Sequence, residues 1–284
     1  MLDPALTDRL LDHIGLTERP APDASGLRTV HRAFLSRISY AGLTPQLGEH
    51  APLDADALVT RLLPGGRGGY CFEMNTMLLE LLTALGFAVE RREAVVKPRG
   101  ARAAGALTDH MALVVDVAGE QFIADAGWGE APLDPIPLRD GPFTVGPFTW
   151  TVEREPDGGW WLEQHEWGET PGFWFAGSAS TAEDFAPHHL RIATSPESGF
   201  VKTLVVQRPY DERVVTLRSR TLAVDGPGLR ERTVIADAGA FAAVLRDTFA
   251  IDPDALGPQR MERLWAQACA QHEAFVAARA AAQG

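Results

Sequence analysis

The sequence predicts an α+β protein: helices first, antiparallel strands in the middle, and a mixed helix-and-strand end. Three observations carry this. Apolar residues recur at helical spacing through residues 1–86. From Phe87 the period drops to two, and Gly- and Pro-rich turns separate short runs. Beyond residue 192, strand-like and helix-like runs both occur. With 284 residues, 45% of them hydrophobic and 23% charged, the chain buries a sizeable core shared among subdomains. The expected divisions are 1–86, helical; 87–192, β-rich; and 193–284, mixed.

Residues 4–14 place Leu6, Leu10, Leu11 and Ile14 on one helical face, and Gly15 stops the helix. Pro20-Ala21-Pro22-Asp23 breaks the chain. Ser25 is the expected cap of a second helix carrying Leu27, Val30, Phe34, Leu35 and Ile38. Tyr40-Ala41-Gly42-Leu43 reads as a turn, and 54–63 as a short helix with acidic residues in its first turn. Pro64 and a run of glycines lead to the next helix. Its stripe is Cys71, Met74, Leu78, Leu82 and Leu85, and Gly86 sits at its C′ position. Strands are expected at 87–91, 94–96, 110–117 and 121–125, the last two joined by a turn at Ala118-Gly119-Glu120. Pro and Gly punctuate 127–147. A hairpin over 148–152 and 160–163 follows, then strands at 200–208 and 214–217 and helices at 239–245 and around 258–280.

Charge and cysteine usage narrow the function. A net charge of −12 repels phosphate backbones and anionic lipid, so neither a nucleic acid nor a membrane is an expected partner. The basic island at 97–102 reads as a solvated loop. No run of 18 uncharged apolar residues exists, so no membrane span is expected. The first residues show no basic stretch followed by an apolar one, which argues against a secretory signal. Two cysteines, Cys71 and Cys269, imply no disulfide framework and suit a reducing cytoplasm. Cys269 lies in an amphipathic helix and reads as packing. No Cys or His group has zinc-ligand spacing, so no metal is expected; His188-His189 reads as surface loop.

The chemistry centres on Arg67-Gly68-Gly69-Tyr70-Cys71-Phe72-Glu73-Met74-Asn75. A cysteine in an apolar helical stripe is often simple core packing. In the first turn it also feels the positive end of the helix dipole, which favours thiolate. A cysteine nucleophile needs a base, and an imidazole needs a partner that orients it. Strand parity supplies candidates. With a two-residue turn at Ala118-Gly119, residue 125 faces residue 112. His110 and Asp125 then become diagonal neighbours on one sheet face, roughly 7–8 Å apart at the backbone. A three-residue turn would put them on opposite faces. Asp125 also interrupts an alternating apolar run, and an acid there usually has a partner.

Three blocks in this order, Arg67-Gly68-Gly69-Tyr70-Cys71-Phe72-Glu73-Met74-Asn75, Asp109-His110-Met111-Ala112-Leu113 and Ala124-Asp125-Ala126-Gly127-Trp128-Gly129, resemble the arylamine N-acetyltransferases. Ser195-Pro196-Glu197-Ser198-Gly199-Phe200-Val201 followed by Leu204-Val205-Val206-Gln207-Arg208 extends the resemblance over almost the full chain. It implies a helical N-terminal bundle, a central antiparallel β-barrel and a C-terminal α/β lid around a cysteine-protease-like Cys-His-Asp core. It also implies Cys71 as the acylated nucleophile, His110 as its base and Asp125 as the orienting acid. Acetyl-CoA would be the acyl donor and a small aromatic amine or hydrazine the acceptor, with Tyr40, Val96, Trp128 and Phe200 lining the pocket. Two departures stand out. Ser39-Tyr40-Ala41-Gly42-Leu43 replaces the frequent Pro-Phe-Glu-Asn-Leu, and Trp128 replaces a frequent Phe. Two other readings use the same residues: an amide synthase of the same family that takes a longer acyl chain, and a cysteine hydrolase in which water resolves the acyl-enzyme. A non-catalytic binding module would give no reason to hold all three residues.

Overall fold

The computed structural model describes residues 2–96 and 107–282, so the basic island at 97–102 lies outside the described residues. The chain opens with helices α1 (Pro4–His13) and α2 (Ala24–Arg37), a two-residue strand β1 (Tyr40–Ala41), and helices α3 (Leu43–Leu47), α4 (Ala55–Leu62) and α5 (Cys71–Ala84). Aspartates start three of these helices. Asp3, Asp23 and Asp54 each accept a backbone N–H of the first turn, where a carboxylate also meets the positive helix end. The cap of α2 is thus Asp23, not Ser25, which falls inside the first turn; Asp23 Oδ1 takes the Gly26 N–H at 2.8 Å. Residues 40–43, expected as a turn, divide into β1 and the start of α3 because β1 finds a partner far along the chain, Tyr40 pairing with Gln207.

The middle of the chain holds β2 (Ala88–Val96), β3 (His110–Val117), β4 (Glu120–Ile123), β5 (Ile136–Pro137), β6 (Gly141–Val145), β7 (Phe148–Arg154), β8 (Trp160–Glu163) and β9 (Gly172–Phe175). They form one antiparallel sheet in the order β5-β4-β3-β2-β9-β8-β7-β6, nearly closed into a barrel. The two short runs expected at 87–91 and 94–96 are one strand, since β2 pairs with β3 from Ala88 to Ala94 and then with β9. The β3–β4 turn has two residues, Ala118 (φ 55°) and Gly119 (φ 88°). Left-handed backbone at both positions matches the strand twist.

The remainder comprises α6 (Ala182–Thr194), α7 (Gly199–Lys202), β10 (Val205–Pro209), β11 (Val214–Arg218), β12 (Thr221–Gly226), β13 (Leu229–Val234), α8 (Ala238–Asp247), α9 (Pro253–Leu256) and α10 (Pro258–Ala281). The second sheet runs β1-β10-β11-β12-β13. Residues 199–202 are helix rather than the start of a strand, because Ser198 Oγ accepts the Phe200 N–H and caps a turn. His188 and His189 lie in α6 instead of a surface loop, and His189 is buried.

Two hydrophobic clusters hold these layers. One joins Phe34, Phe72, Leu78 and Leu82 of the helices to Val115, Ile123 and Phe173 of the barrel. The other packs Leu204, Val206 and Leu217 against Phe241, Phe249, Leu264 and the α3 residues Leu43 and Leu47. Helix α5 packs on β2 and β3, and this contact carries its first residue to the barrel rim. Among the described residues, no helix is long and apolar enough to cross a membrane.

Candidate active site

Cys71 is the first helical residue of α5, after a Tyr70 in extended conformation. The approach to it needs glycine. A Cβ on Gly68 would stand 2.0 Å from the Ser39 carbonyl oxygen, and one on Gly69 2.4 Å from Glu73 Cβ. Glu73, buried in the same turn, accepts from Arg61 Nη1 at 2.8 Å and from the Tyr70 N–H at 3.4 Å. The opening turn is therefore fixed by Glu73, which caps the Tyr70 N–H and pairs with the partly buried Arg61. Breaking such a pair typically costs about 3–5 kcal/mol, because it strands a charge.

The β3–β4 ladder pairs Val114 with Ile123, and Ala124 N–H donates to Leu113 O at 3.1 Å beyond it. Residue 125 therefore lies beside residue 112, as strand parity predicts. His110 Nε2 and Asp125 Oδ2 are 2.6 Å apart, both side chains almost fully buried. Asp125 is also held from α5. Asn75 Nδ2 donates to Asp125 Oδ1 at 2.6 Å and to Met111 O at 2.5 Å. Its Oδ1 accepts the N–H groups of Ala126 and Gly127, each at 2.9 Å. The Gly127 N–H adds a bond to Asp125 Oδ1 at 2.8 Å. One amide thus ties the nucleophile helix, strand β3 and the 125–127 turn together. The turn comes so close to α5 that a Cβ on Gly127 would stand 2.7 Å from Cys71 O.

Cys71 and His110 line a common cavity of about 240 Å³, together with Tyr40, Val96, Trp128 and Phe200. The Trp128 ring meets His110 edge-on at 5.5 Å and leans on Phe173 at 4.9 Å. Its Nε1 donates to Gln164 Oε1 at 3.0 Å, as does Trp150 Nε1. Phe200 packs on Tyr40 and Tyr70. Where the departure from Glu-Asn leaves Ala41 and Gly42, the support is apolar: Ala41 is fully buried, and a Cβ on Gly42 would meet the Phe200 ring at 3.4 Å. Val96 N–H donates to Asp109 Oδ1 at 2.8 Å, and Cys71 Sγ lies 3.5 Å from Asp109 O.

Burial pushes the Cys71 thiol well up, and the charge of Asp109 adds to this; the Phe72 N–H acts the other way. The helix start alone therefore does not supply a thiolate, contrary to the simple dipole expectation. The His110–Asp125 pair lies on the same cavity wall as this thiol. Burial likewise raises the Tyr40 hydroxyl well above its ordinary value, with Cys71 and Tyr70 contributing.

Three polar residues of this region were not singled out in the sequence. Asn75 carried a signal, since it stands one helical turn after Cys71 on an apolar helix. Gln164 and Glu130 carried none, because their partners come from distant strands. Gln164 Nε2 donates to Glu130 Oε2 at 3.1 Å, and the Glu169 N–H bonds both Glu130 oxygens at 3.1 Å. Burial pushes the Glu130 carboxyl up to about 7, and the Glu169 N–H opposes that shift. A larger cleft, about 510 Å³ between Leu47 and Arg263, holds neither nucleophile nor His–Asp pair. Among the described residues, no three His, Cys, Asp or Glu side chains gather to hold a metal.

Comparison with known proteins points the same way. The N-acetyltransferase family model matches residues 23–256. An arylamine N-acetyltransferase of Mycolicibacterium smegmatis is 33% identical over 250 residues, spanning 85% of this chain and 90% of that protein. The solved structure of the Mycobacterium abscessus arylamine N-acetyltransferase superposes with a TM-score of 0.82 at 28% identity, covering 93% of this chain and 94% of that one. The Mycobacterium marinum arylamine N-acetyltransferase, solved in complex with CoA, gives 0.83 at 26% identity, covering 92% and 98%. Fold, sequence blocks and coverage agree: the chain belongs to the arylamine N-acetyltransferases, a family of acyltransferases.

Proposed function

We propose that the chain moves an acetyl group from acetyl-CoA to an arylamine or arylhydrazine through a Cys71 thioester, in a ping-pong sequence. The observation that carries this is the 2.6 Å His110–Asp125 contact on the wall that also bears Cys71. Residues 1–86 supply the nucleophile, 87–192 the base and acid, and 193–284 contribute Phe200 to the wall.

His110 uses Nε2 for Asp125, which leaves Nδ1 for the thiol. In the first half, the Cys71 proton passes to His110, and the thiolate attacks the thioester carbonyl of acetyl-CoA. The carbon–sulfur bond to CoA breaks, and CoA leaves as a thiol with the proton from His110. In the second half, the amine nitrogen attacks the Cys71 thioester and His110 takes its proton. The Cys71–carbonyl bond then breaks, and the proton returns to the thiolate. Asp125 stabilises the imidazolium in both halves. An arylamine reaches the site uncharged at neutral pH, whereas an alkylamine arrives protonated and cannot attack, as the lysine reference near 10.4 illustrates. The small cavity, with Trp128 fixed by Gln164, supports a short acyl group and one flat ring over a long acyl chain. A metal has no part in this scheme, and the two free cysteines suit a reducing cytoplasm.

The test is to load Cys71 from acetyl-CoA, remove the donor, and follow the acyl mass with an arylamine, an alkylamine or water alone. Fast loss only with the arylamine is the expected result. Equal loss with all three would make the protein a hydrolase.

A further inference from the structure

The wall of the Cys71 cavity carries a second buried carboxyl group for which the chemistry above has no use. Glu130 is only 4% exposed and lines that cavity. Its partners are neutral: the Gln164 amide and the Glu169 N–H. Gln164 also holds the indole of Trp128, so the flat ring expected to meet the acceptor and the carboxyl group are fixed in one relation. Arg218, the arginine on this wall, is already paired with Glu169 at 2.5 Å. An acceptor that brings a carboxylate here adds a negative charge beside Glu130 and Glu169, where the cation on the wall among the described residues, Arg218, is already paired. One that brings a cation gains a partner.

We propose that Glu130 determines acceptor specificity: it favours aromatic amines whose ring carries a cationic substituent and disfavours those whose ring carries a carboxylate. This rests on the acyl-transfer reading above. The preference follows the ionisation of Glu130, which burial sets to about 7, so it strengthens from pH 6 to pH 8. Among the described residues, the other charged or titratable groups around Glu130 are Glu169 and His165 on the segment after β8, Asp225 on β12, Arg218 on β11 and Arg32 on α2. Burial holds His165 near 4, so it stays neutral across that range. Arg32 is engaged by Asp134 and Asp211. Comparison with Glu130→Gln at each pH separates Glu130 from the other groups of the cavity, which that variant keeps.

The experiment loads the full-length protein from acetyl-CoA and removes the donor. Discharge is then timed with aniline, 4-aminobenzamidine and 4-aminobenzoate at pH 6, 7 and 8. The readout is the benzamidine-to-benzoate rate ratio, with aniline reporting discharge by a ring without a charged substituent. At pH 8 the wild-type ratio should exceed about tenfold, the scale of one short-range charge interaction at a protein surface. It should shrink toward pH 6. In Glu130→Gln, which keeps size and hydrogen-bonding capacity, it should fall toward unity and lose its pH dependence. A ratio equal in wild type and Glu130→Gln, or a wild-type ratio flat from pH 6 to 8, would overturn the proposal even with aniline active. The pH series needs only the wild type, so it stands if the variant does not fold. Failure of aniline itself to discharge the acetyl-enzyme would overturn the acceptor reading, and this proposal with it.

Discussion

Asp125 and Glu130 stand a few residues apart on one irregular stretch, and both are almost fully buried. Their partners differ. Asp125 accepts from an imidazole, an amide side chain and a backbone N–H, all within 2.8 Å. Glu130 has longer bonds, at 3.1 Å, and its donors are all neutral groups. Similar burial therefore comes with different partners. One carboxylate is paired with an imidazole. The other is left close to half-protonated at neutral pH. Two acids on one stretch thus have separate surroundings, because different elements reach each of them; in the proposed scheme the first orients His110 and the second selects the acceptor.

The largest effect expected from this contrast is at the nucleophile that Asp125 serves. Cys71→Ser should abolish acyl loading from acetyl-CoA, whereas Cys269→Ser, half-buried on α10, should load normally. Intact mass after brief exposure to the donor reads both. Loading of the Cys71 variant at the wild-type rate would remove the whole scheme.

Next comes Asp125→Asn, which keeps the shape and removes the charge. Loading should slow on the order of 10²–10⁴-fold. Alkylation of Cys71 as a function of pH checks it, because loss of the imidazolium partner moves the profile. An unmoved profile would remove Asp125 from the scheme.

Asn75→Ala sharpens the comparison, since this amide contacts Asp125 and not Glu130. It would remove the side-chain partner of the Met111 carbonyl and of the Ala126 N–H, while the Gly127 N–H keeps Asp125 Oδ1. Each unsatisfied buried group costs about 1–3 kcal/mol. Loading should drop by roughly 10–100-fold, consistent with misplacement of a reacting group. Denaturant unfolding and loading rate together separate the two effects. Loading at the wild-type rate in the folded variant would show that Asp125 needs no support from α5.

The smallest effect concerns stability and Glu130. Its folded value near 7 lies above the ordinary 4.5, so between these values the folded chain holds a proton that the unfolded chain has released. Its contribution to stability is therefore present below pH 4.5 and lost as pH rises through about 7. Relative to Glu130→Gln, the wild type should lose on the order of 5 °C in Tm between pH 5 and pH 8. Parallel melting curves at all pH values would show that burial does not shift this group.

The legible part of the site was local. Cys71 opens a helix because two glycines precede it and an apolar stripe follows. His110 and Asp125 share a sheet face because a two-residue turn fixes parity, and parity needs no knowledge of the rest of the fold. Asn75 was half-legible, as a polar residue one turn from Cys71 on a helix that is otherwise buried. The misread stretches share a cause. Tyr40–Ala41 became a strand only because Val206 and Gln207 lie beside it, and His189 became buried because α6 packs over Tyr70 and Phe72.

By itself, the sequence determined the change from helices to strands near residue 87, the helix that presents Cys71 and, for a two-residue turn, the shared face of His110 and Asp125. All of these follow from contacts within a turn or between strands adjacent in the chain. Only the tertiary structure decided that the Cys71 thiol is pushed up by burial, that Gln164 ties Trp128 to Glu130, and that Phe200, Gln207 and Arg218 close the cavity. Desolvation and long-range hydrogen bonds depend on which distant segments exclude water from a group. No periodicity along the chain records that.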